Sequence, residues 1–192
     1  MFTRIMAGVV VLMAMAPAAR ADVLQTAPAT PTAAPADTRQ IFNAVQRQVL
    51  QYPSFTIFDS VDVQIQEGVV ALSGRVTMPF KRTDLETRVA RVEGVTAVQN
   101  NIEVLPVSGF DNDLRIRIAR AIYGNSNFTP YASMTHAPIH IVVENGHVTL
   151  TGVVTSNIER LLAGSEASHS LAFSVTNSLR TNAEAEAELL KL

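Results

Sequence analysis

The sequence of 192 residues contains no cysteine and no tryptophan, and only 17% of its residues are charged. Without cysteine the chain has no disulfide, no thiolate nucleophile, no cysteine-based zinc site and no lipid-bearing N-terminal cysteine. The formal net charge of -2 argues against a dedicated nucleic-acid binder, which would show a basic excess or stripe. Hydrophobic residues make up 47% of the chain, which excludes a wholly disordered protein.

Long hydrophobic runs are also lacking, because no segment approaches the ~18–20 apolar residues of a membrane-spanning helix. The longest run, residues 5–16, is followed by a proline and then by the small-x-small triplet at 19–21. This pattern is typical of a signal peptide over residues 1–21, cleaved before Asp22, and a buried N-terminal helix is the alternative. We therefore expect a mature protein that is soluble outside the cytoplasm and has no transmembrane span.

Both ends of the mature chain are predicted to lie outside the core. Residues 22–36 are rich in Ala, Pro and Thr, a composition that predicts a semi-extended tether. Residues 181–192 begin with alternating Glu and Ala and predict a frayed helical tail.

A sixteen-residue pattern occurs twice in the chain, at residues 61–76 and again 78 positions later at 139–154. Apolar residues stand at every second position, and the alternation is interrupted by Glu-Gly in one copy and Asn-Gly in the other. This predicts a β-hairpin with one apolar face, because Gly and Asn accept the positive φ of a tight turn. Four glycines fall in register between the copies: Gly68 with Gly146, and Gly74 with Gly152.

Amphipathic helices are predicted before and after each hairpin, and a strand closes each copy. The apolar residues before the hairpins recur at i, i+4 and i+8: Ile41, Val45 and Val49, then Leu114, Ile118 and Ile122. The order α-β-β-α-β, twice, predicts an α+β fold of two tandem units. Each unit is a small three-stranded sheet covered on one face by two helices. We expect the first unit at residues 37–106 and the second at 109–180.

Capping residues predict where these helices begin. The candidates are Asp37 with Gln40, Thr83 with Glu86, Ser156 with Glu159, and Asp111 before the second unit's first helix. Gly94 predicts the end of the helix after the first hairpin. The corresponding helix of the second unit contains Gly164 and several serines, so we expect it to be shorter or more mobile.

The second unit is five residues longer than the first between its first helix and its hairpin. The extra length contains four large or ring-bearing residues: Phe128, Pro130, Tyr131 and Met134. We expect an ordered loop that packs on its own helix, and a contact surface is the alternative.

The segments at 68–76 (Gly-Val-Val-Ala-Leu-Ser-Gly-Arg-Val) and 94–102 (Gly-Val-Thr-Ala-Val-Gln-Asn-Asn-Ile) resemble the BON domain. A second copy resembles it at 139–154 and at 173–179. The resemblance implies a tandem BON protein of the group that includes the osmotically inducible periplasmic protein of Gram-negative bacteria. It also implies a secreted or envelope location, a role in osmotic or envelope stress and, in some members, phospholipid binding. Leu171 stands at a position that is usually Gly in this family.

No catalytic constellation is visible in the sequence. It has no G-x-S-x-G elbow, no H-E-x-x-H helix and no Gly-rich phosphate loop. His140 and His147 could approach across the second hairpin, but a third strong ligand is missing nearby, so we interpret them as exposed strand histidines. Asp111 and Asp113 are interpreted as helix-capping residues. We expect no enzyme activity, no cofactor and no metal.

Basic residues on the helices are the candidates for membrane contact: Lys81, Arg82, Arg88, Arg91, Arg115 and Arg120. Lys81 and Arg82 are predicted just before a helix N-terminus, beside Met78 and Phe80, where backbone donors favour anions. Such a cluster could attract anionic phospholipid headgroups. Acidic neighbours such as Glu86 favour the alternative, a solvated and salt-bridged helix face.

From the residues and the resemblance together, we expect a non-enzymatic, exported envelope protein involved in osmotic or envelope stress or in membrane integrity. The leading interpretation is weak binding to anionic phospholipid surfaces. The alternative is a protein-interaction or chaperone-like module of the periplasm that binds another envelope protein, for example through an exposed sheet edge that pairs with a partner strand. Neither interpretation involves nucleic acid.

Overall fold

The structure, a computed structural model, describes residues 38–190. The predicted signal peptide at 1–21, the tether at 22–36 and the cap at Asp37 lie outside the described residues, and so do the last two residues of the tail.

The first domain has the predicted order α-β-β-α-β. Its elements are α1 (Thr38–Leu50), β1 (Ser60–Gln66), β2 (Val69–Val76), α2 (Pro79–Val89) and β3 (Ala97–Val104). β2 is the central strand, antiparallel to β1 and parallel to β3. The parallel pair requires a crossover, and α2 provides it.

The second domain repeats this order with additions. Its elements are α3 (Gly109–Gly124), a 3-10 turn (Ser126–Phe128), α4 (Thr129–Ala132), β4 (Ile139–Glu144), β5 (His147–Val154), α5 (Asn157–Ser168), β6 (Ser174–Asn177), β7 (Arg180–Thr181) and α6 (Asn182–Leu189). β5 is the central strand of this sheet, antiparallel to β4 and parallel to β6 and β7. The predicted fold class, α+β with two tandem units, is confirmed.

The apolar residues at every second position of the central strands form the two cores, because alternate side chains of a strand point to the same face of the sheet. In the first domain Val70, Leu72 and Val76 of β2 are buried beneath α1 and α2. In the second domain Val148, Leu150 and Val154 of β5 are buried in the same way. Each domain therefore has a core of its own between one face of its sheet and its helices.

The closing strand of the second domain is divided into two pieces in one register. β6 pairs with β5 at an offset that gives His147↔Ser174, and β7 continues at the same offset with Val154↔Thr181. The tail is therefore joined to the sheet through its first residue, Thr181. It continues into α6, which begins with a complete capping box between Thr181 and Glu184.

Three predicted helix ends are wrong. α2 begins at Pro79 and not after Thr83, because a proline at the first helical position is already suited to the helix. α2 ends at Val89, so Gly94 lies beyond it in the turn before β3. α3 begins at Gly109 with the Ser108 side chain as its cap. The prediction of Ser156 as a cap is confirmed, because its hydroxyl accepts from the Glu159 N–H.

Of the two alternatives for the matching helix of the second domain, shorter or more mobile, the first is wrong, because α5 has 12 residues and α2 has 11. Gly164 is a packing residue here. A Cβ at this position would lie 2.6 Å from Nδ2 of Asn177, which donates to the carbonyl of Arg160. In the first domain Asn100 makes the equivalent bond to the carbonyl of Arg82, so this asparagine ties the last strand to the helix in both copies.

The extra segment of the second domain packs on its own core, as expected. Phe128 and Tyr131 are buried among the residues of that core. The Tyr131 hydroxyl donates to Glu159 at 2.6 Å and accepts from the Thr155 N–H at 3.0 Å. Met134 is exposed. The segment therefore fills the domain from one side and covers the start of α5.

Candidate functional site

The six basic candidates do not form one surface. Lys81 is buried on Asp59, and Arg115 is buried with its guanidinium donating to the carbonyl of Val143 at 2.6 Å. Arg88 lies over the ring of Tyr52 at 5.5 Å and also donates to the carbonyl of Gln48. Arg82, Arg91 and Arg120 are exposed. Of the six candidates for membrane contact, Lys81 and Arg115 therefore use their charge on buried partners and are not available at the surface.

Asp59 is the centre of a buried polar cluster in the first domain. Its carboxylate accepts from Lys81 Nζ at 2.7 Å, from the N–H and hydroxyl of Thr77, and from the N–H and hydroxyl of Thr56. Burial raises the pKa of Asp59, but the hydrogen bonds of Lys81, Thr77 and Thr56 outweigh it, so this pKa lies below its ordinary value. The cluster fixes the loop between α1 and β1 to the start of α2.

That loop makes several of the contacts between the two domains, and the ion pair of Arg75 with Glu144 adds another. The carbonyl of Ile57 accepts from the N–H of Ile141 at 2.7 Å, and Phe58 packs against the core of the second domain. The contact continues between the hydroxyls of Ser60 and Thr151, which are 2.8 Å apart. The domains therefore meet along a seam that depends on the position of residues 56–60.

His140 lies in this seam, which corrects its interpretation as an exposed strand residue. Its ring is 5.3 Å from the ring of Phe55, and its Nδ1 is buried without a hydrogen-bond partner. Burial lowers the pKa of His140, and nearby carbonyls of Asp59 and Thr56 and the Asp59 carboxylate only partly offset it. His147 is far along the hairpin, paired with Glu144 in the register, and the two histidines do not meet.

We predict that acidification weakens the fold through His140. The unfolded chain binds a proton near the ordinary value of 6.5, but the folded chain resists it, so stability falls as pH drops below 6.5. A His140→Phe variant keeps an aromatic ring against Phe55 and should lose less stability between about pH 7 and about pH 5. Urea unfolding at both pH values measures this, and an unchanged pH dependence in the variant would contradict the prediction.

Two exposed phenylalanines, Phe110 and Phe173, meet at one end of the second domain, and the exposed Leu171 stands two residues before Phe173. We call these three residues the apolar tip. The rings of Phe110 and Phe173 stack at 5.8 Å, and His147 contacts Phe173 edge-on at 6.0 Å. Leu171 is 77% exposed and Phe173 is 73% exposed. Adjacent large apolar residues at this exposure are typical of a binding surface and not of a surface shaped by folding alone.

The backbone of Leu171 is in a strained conformation. Its φ is +65°, while Gly94 at the equivalent turn of the first domain has φ +86°. A side chain in this region costs about 1–2 kcal/mol, a cost that glycine avoids. The turn therefore has a left-handed residue as in the first domain. In the second domain this residue is an exposed leucine, where glycine would avoid the strain. This combination of backbone strain and exposure makes Leu171 a candidate for a binding contact.

Two further features support the tip as one unit. Asp111 is buried and accepts from the N–H groups of Asn145 and Gly146, which fastens the start of α3 to the hairpin turn. It was expected to cap its own helix, but it caps the neighbouring turn instead. Arg117 donates to the carbonyl of Ser170, next to Leu171, and keeps a cation beside the tip.

Sequence reasoning missed the tip, although one signal for it was present. Phe173 stands in the second copy where the first copy has the polar Thr96, two residues after the position of the glycine. Phe110 gave no such signal, because one phenylalanine in the first turn of an amphipathic helix is equally compatible with the core. Its contact with Phe173 joins residues 63 positions apart in the chain.

Residues 38–190 offer neither a metal site nor a membrane-spanning helix. Within that range, no group of three or more His, Cys, Asp or Glu side chains could hold a metal ion. Within the same range, none of the helices combines the length and the apolar character needed to cross a bilayer.

Comparison with known proteins gives one specific result. The sequence pattern of the BON domain matches the chain twice, at residues 37–106 and 111–183. A search of curated proteins finds no match. Two solved structures of CdsD from Chlamydia trachomatis, described as a structural protein of the Type III secretion system, are similar in part. One is 14% identical over 80% of this chain and 98% of that chain. The other, its C-terminal domain, is 13% identical over 76% and 99%. Both have a TM-score of 0.28, which supports no argument about this chain.

Proposed function

The chain belongs to the BON-domain family, as a tandem member, and from that membership we propose that it binds phospholipid surfaces of the envelope through its second domain. BON domains are non-enzymatic binding domains of proteins that are typically periplasmic or associated with the envelope. The proposed role is in osmotic or envelope stress or membrane integrity, after export by the predicted signal peptide.

The apolar tip is the observation that supports this proposal. Phe110, Leu171 and Phe173 form a compact apolar end that can enter the boundary between headgroups and acyl chains. Aromatic rings are favoured at that boundary. Since Leu171 remains exposed despite its positive φ, the fold keeps an apolar side chain there at a cost.

The proposed preference for anionic lipid comes from a cation beside the tip. Arg117 of α3 donates to the carbonyl of Ser170, next to Leu171. One arginine near an anionic surface contributes about 1 kcal/mol, so the contact is expected to be weak and reversible. Apolar insertion is therefore expected to contribute most of the binding free energy, and charge a smaller part.

We predict that the double substitution Phe110→Ser and Phe173→Ser reduces liposome binding about tenfold or more. Both phenylalanine rings are at least half exposed. Their loss from the bilayer boundary removes at least ~1.4 kcal/mol of favourable transfer free energy. Leu171→Gly should also weaken binding, and it suits the backbone because glycine accepts the positive φ. Co-sedimentation of residues 22–192 with neutral and anionic liposomes, at low and near-physiological salt, measures the effect.

Phe80→Ser is the matched control, because Phe80 is a comparably exposed phenylalanine on the first domain. It should leave binding unchanged. Loss of binding after reversing the charge of Arg82 and Arg91 instead would move the contact to the first domain. Binding that no substitution affects, or no binding at all, would contradict the phospholipid proposal and favour an envelope protein as the partner.

A further inference from the structure

The outer edge of β1 is open along most of its length. β1 pairs only with β2, and among residues 38–190 no other hydrogen bond reaches the backbone of Val61–Gln66. Alternate N–H and C=O groups of an edge strand point away from its partner, so several of these groups face outward here. An unpaired edge of this kind is a template for another extended chain.

The other sheet edges are each occupied at one or more points. The start of β4 is covered by the loop of the first domain, whose Ile57 carbonyl accepts from Ile141. β3 carries Arg82 on the carbonyl of Asn100. The closing strand of the second domain is broken between β6 and β7, which shortens its edge. Such contacts protect an edge against strand pairing, and among residues 38–190 no comparable backbone contact is found on β1 between Val61 and Gln66.

The β1 edge lies in a groove of about 530 Å³ between α1 and α6. Phe42 and Gln46 of α1 form one wall, and Ala185 and Leu189 of α6 form the other. The groove contains three charged side chains: Arg180 is bonded to Glu188, and Asp62 of β1 also lines the groove. A strand in this groove would place every second side chain against an apolar wall.

We propose that this groove binds an extended peptide segment of a protein partner, added to the first sheet as a strand beside β1. The open backbone groups specify an extended chain, since no other common ligand offers donors and acceptors at the strand repeat. The apolar walls select alternating apolar side chains. This binding site is separate from the apolar tip and does not depend on the phospholipid contact.

The test is amide hydrogen exchange of residues 22–192 with a synthetic peptide. The probe is an acetylated peptide of alternating valine and threonine, as long as β1, which has 7 residues. Alternate amides within Ser60–Gln66 should exchange about tenfold more slowly at saturating peptide, because they gain a bonded partner. A peptide with N-methyl groups on two consecutive central amides keeps the side chains but cannot pair along either edge, and it should have no effect.

A pair of variants on α6 ties the effect to the groove. Ala185→Trp fills the groove without altering β1 and should abolish the slowing, whereas Ala187→Trp, at an exposed position outside it, should preserve it. Equal effects of the two peptides would overturn strand pairing, and so would slowing that survives Ala185→Trp. Edge amides that already exchange slowly in the protein alone would show that another segment of the chain or a second copy covers β1, which also overturns the proposal.

Discussion

Replacing Lys81 by methionine should lower the free energy of unfolding by about 3–5 kcal/mol, the usual loss when one partner of a buried ion pair is removed. Lys81 is only 4% exposed, and its Nζ lies 2.7 Å from Oδ2 of Asp59 and 2.7 Å from the hydroxyl of Thr77. Without the ammonium group, the carboxylate of Asp59 stays buried with no counter-charge. Chemical unfolding in urea measures the loss.

Two further variants identify the cause of this loss. Arg91→Met removes an exposed cation of the same segment and should change stability by less than about 0.5 kcal/mol. Adding Asp59→Asn to Lys81→Met should recover part of the loss, because a neutral amide costs less to bury than an unpaired carboxylate. A double variant no more stable than Lys81→Met would contradict this account.

The same position in the second domain shows how the two copies satisfy one structural requirement differently. Lys81 and Glu159 stand 78 positions apart, as do Thr77 and Thr155. Glu159 accepts from the Tyr131 hydroxyl and from the Thr155 N–H, where Lys81 donates to Asp59 and Thr77. Both side chains bind the loop that precedes the hairpin to the start of the following helix. The charge of the side chain at this position therefore depends on the group that it must bond within the domain, and not on contact with solvent.

The fold was predictable because its signals are local. The hairpins follow from period-2 alternation around Glu-Gly and Asn-Gly, and each core face follows from the same alternation. The helix starts were less certain, since Thr83 and Glu86 have the spacing of a capping box yet lie inside α2. Pro79 was the stronger local signal for that start.

The candidate site was less predictable because it depends on contacts between distant residues. Lys81 resembles any basic residue of a helix until Asp59, 22 positions earlier, is placed against it. Arg115 is hidden in the same way by the carbonyl of Val143. The apolar tip joins Phe110 with Phe173 across the second domain. Charge counting on single helices therefore overestimated the basic surface and missed the apolar one.

Gly152→Ala should destabilise the second domain by about 3–5 kcal/mol, combining backbone strain with a steric clash in the hairpin. Gly152 has φ +113°, and a Cβ there would lie 1.9 Å from the carbonyl oxygen of Pro138. That carbonyl accepts from the N–H of Val153 at 3.3 Å, so the strands cannot separate to relieve the clash without losing this bond. Thermal or urea unfolding measures the effect.

Gly124→Ala is the matched control, since an added Cβ at Gly124 meets no atom within 4 Å, and it should change stability by less than about 0.5 kcal/mol. A loss below about 1 kcal/mol for Gly152→Ala would mean that the hairpin relaxes around the methyl group. The equivalent glycine of the first domain, Gly74, has φ +126° and would place its Cβ 2.1 Å from the carbonyl of Ser60. Ser60 and Thr151 meet in the seam, and Thr151 is next to Gly152. Each of the two glycines therefore allows its strand to lie close to the neighbouring segment of the hairpin, near the seam between the domains.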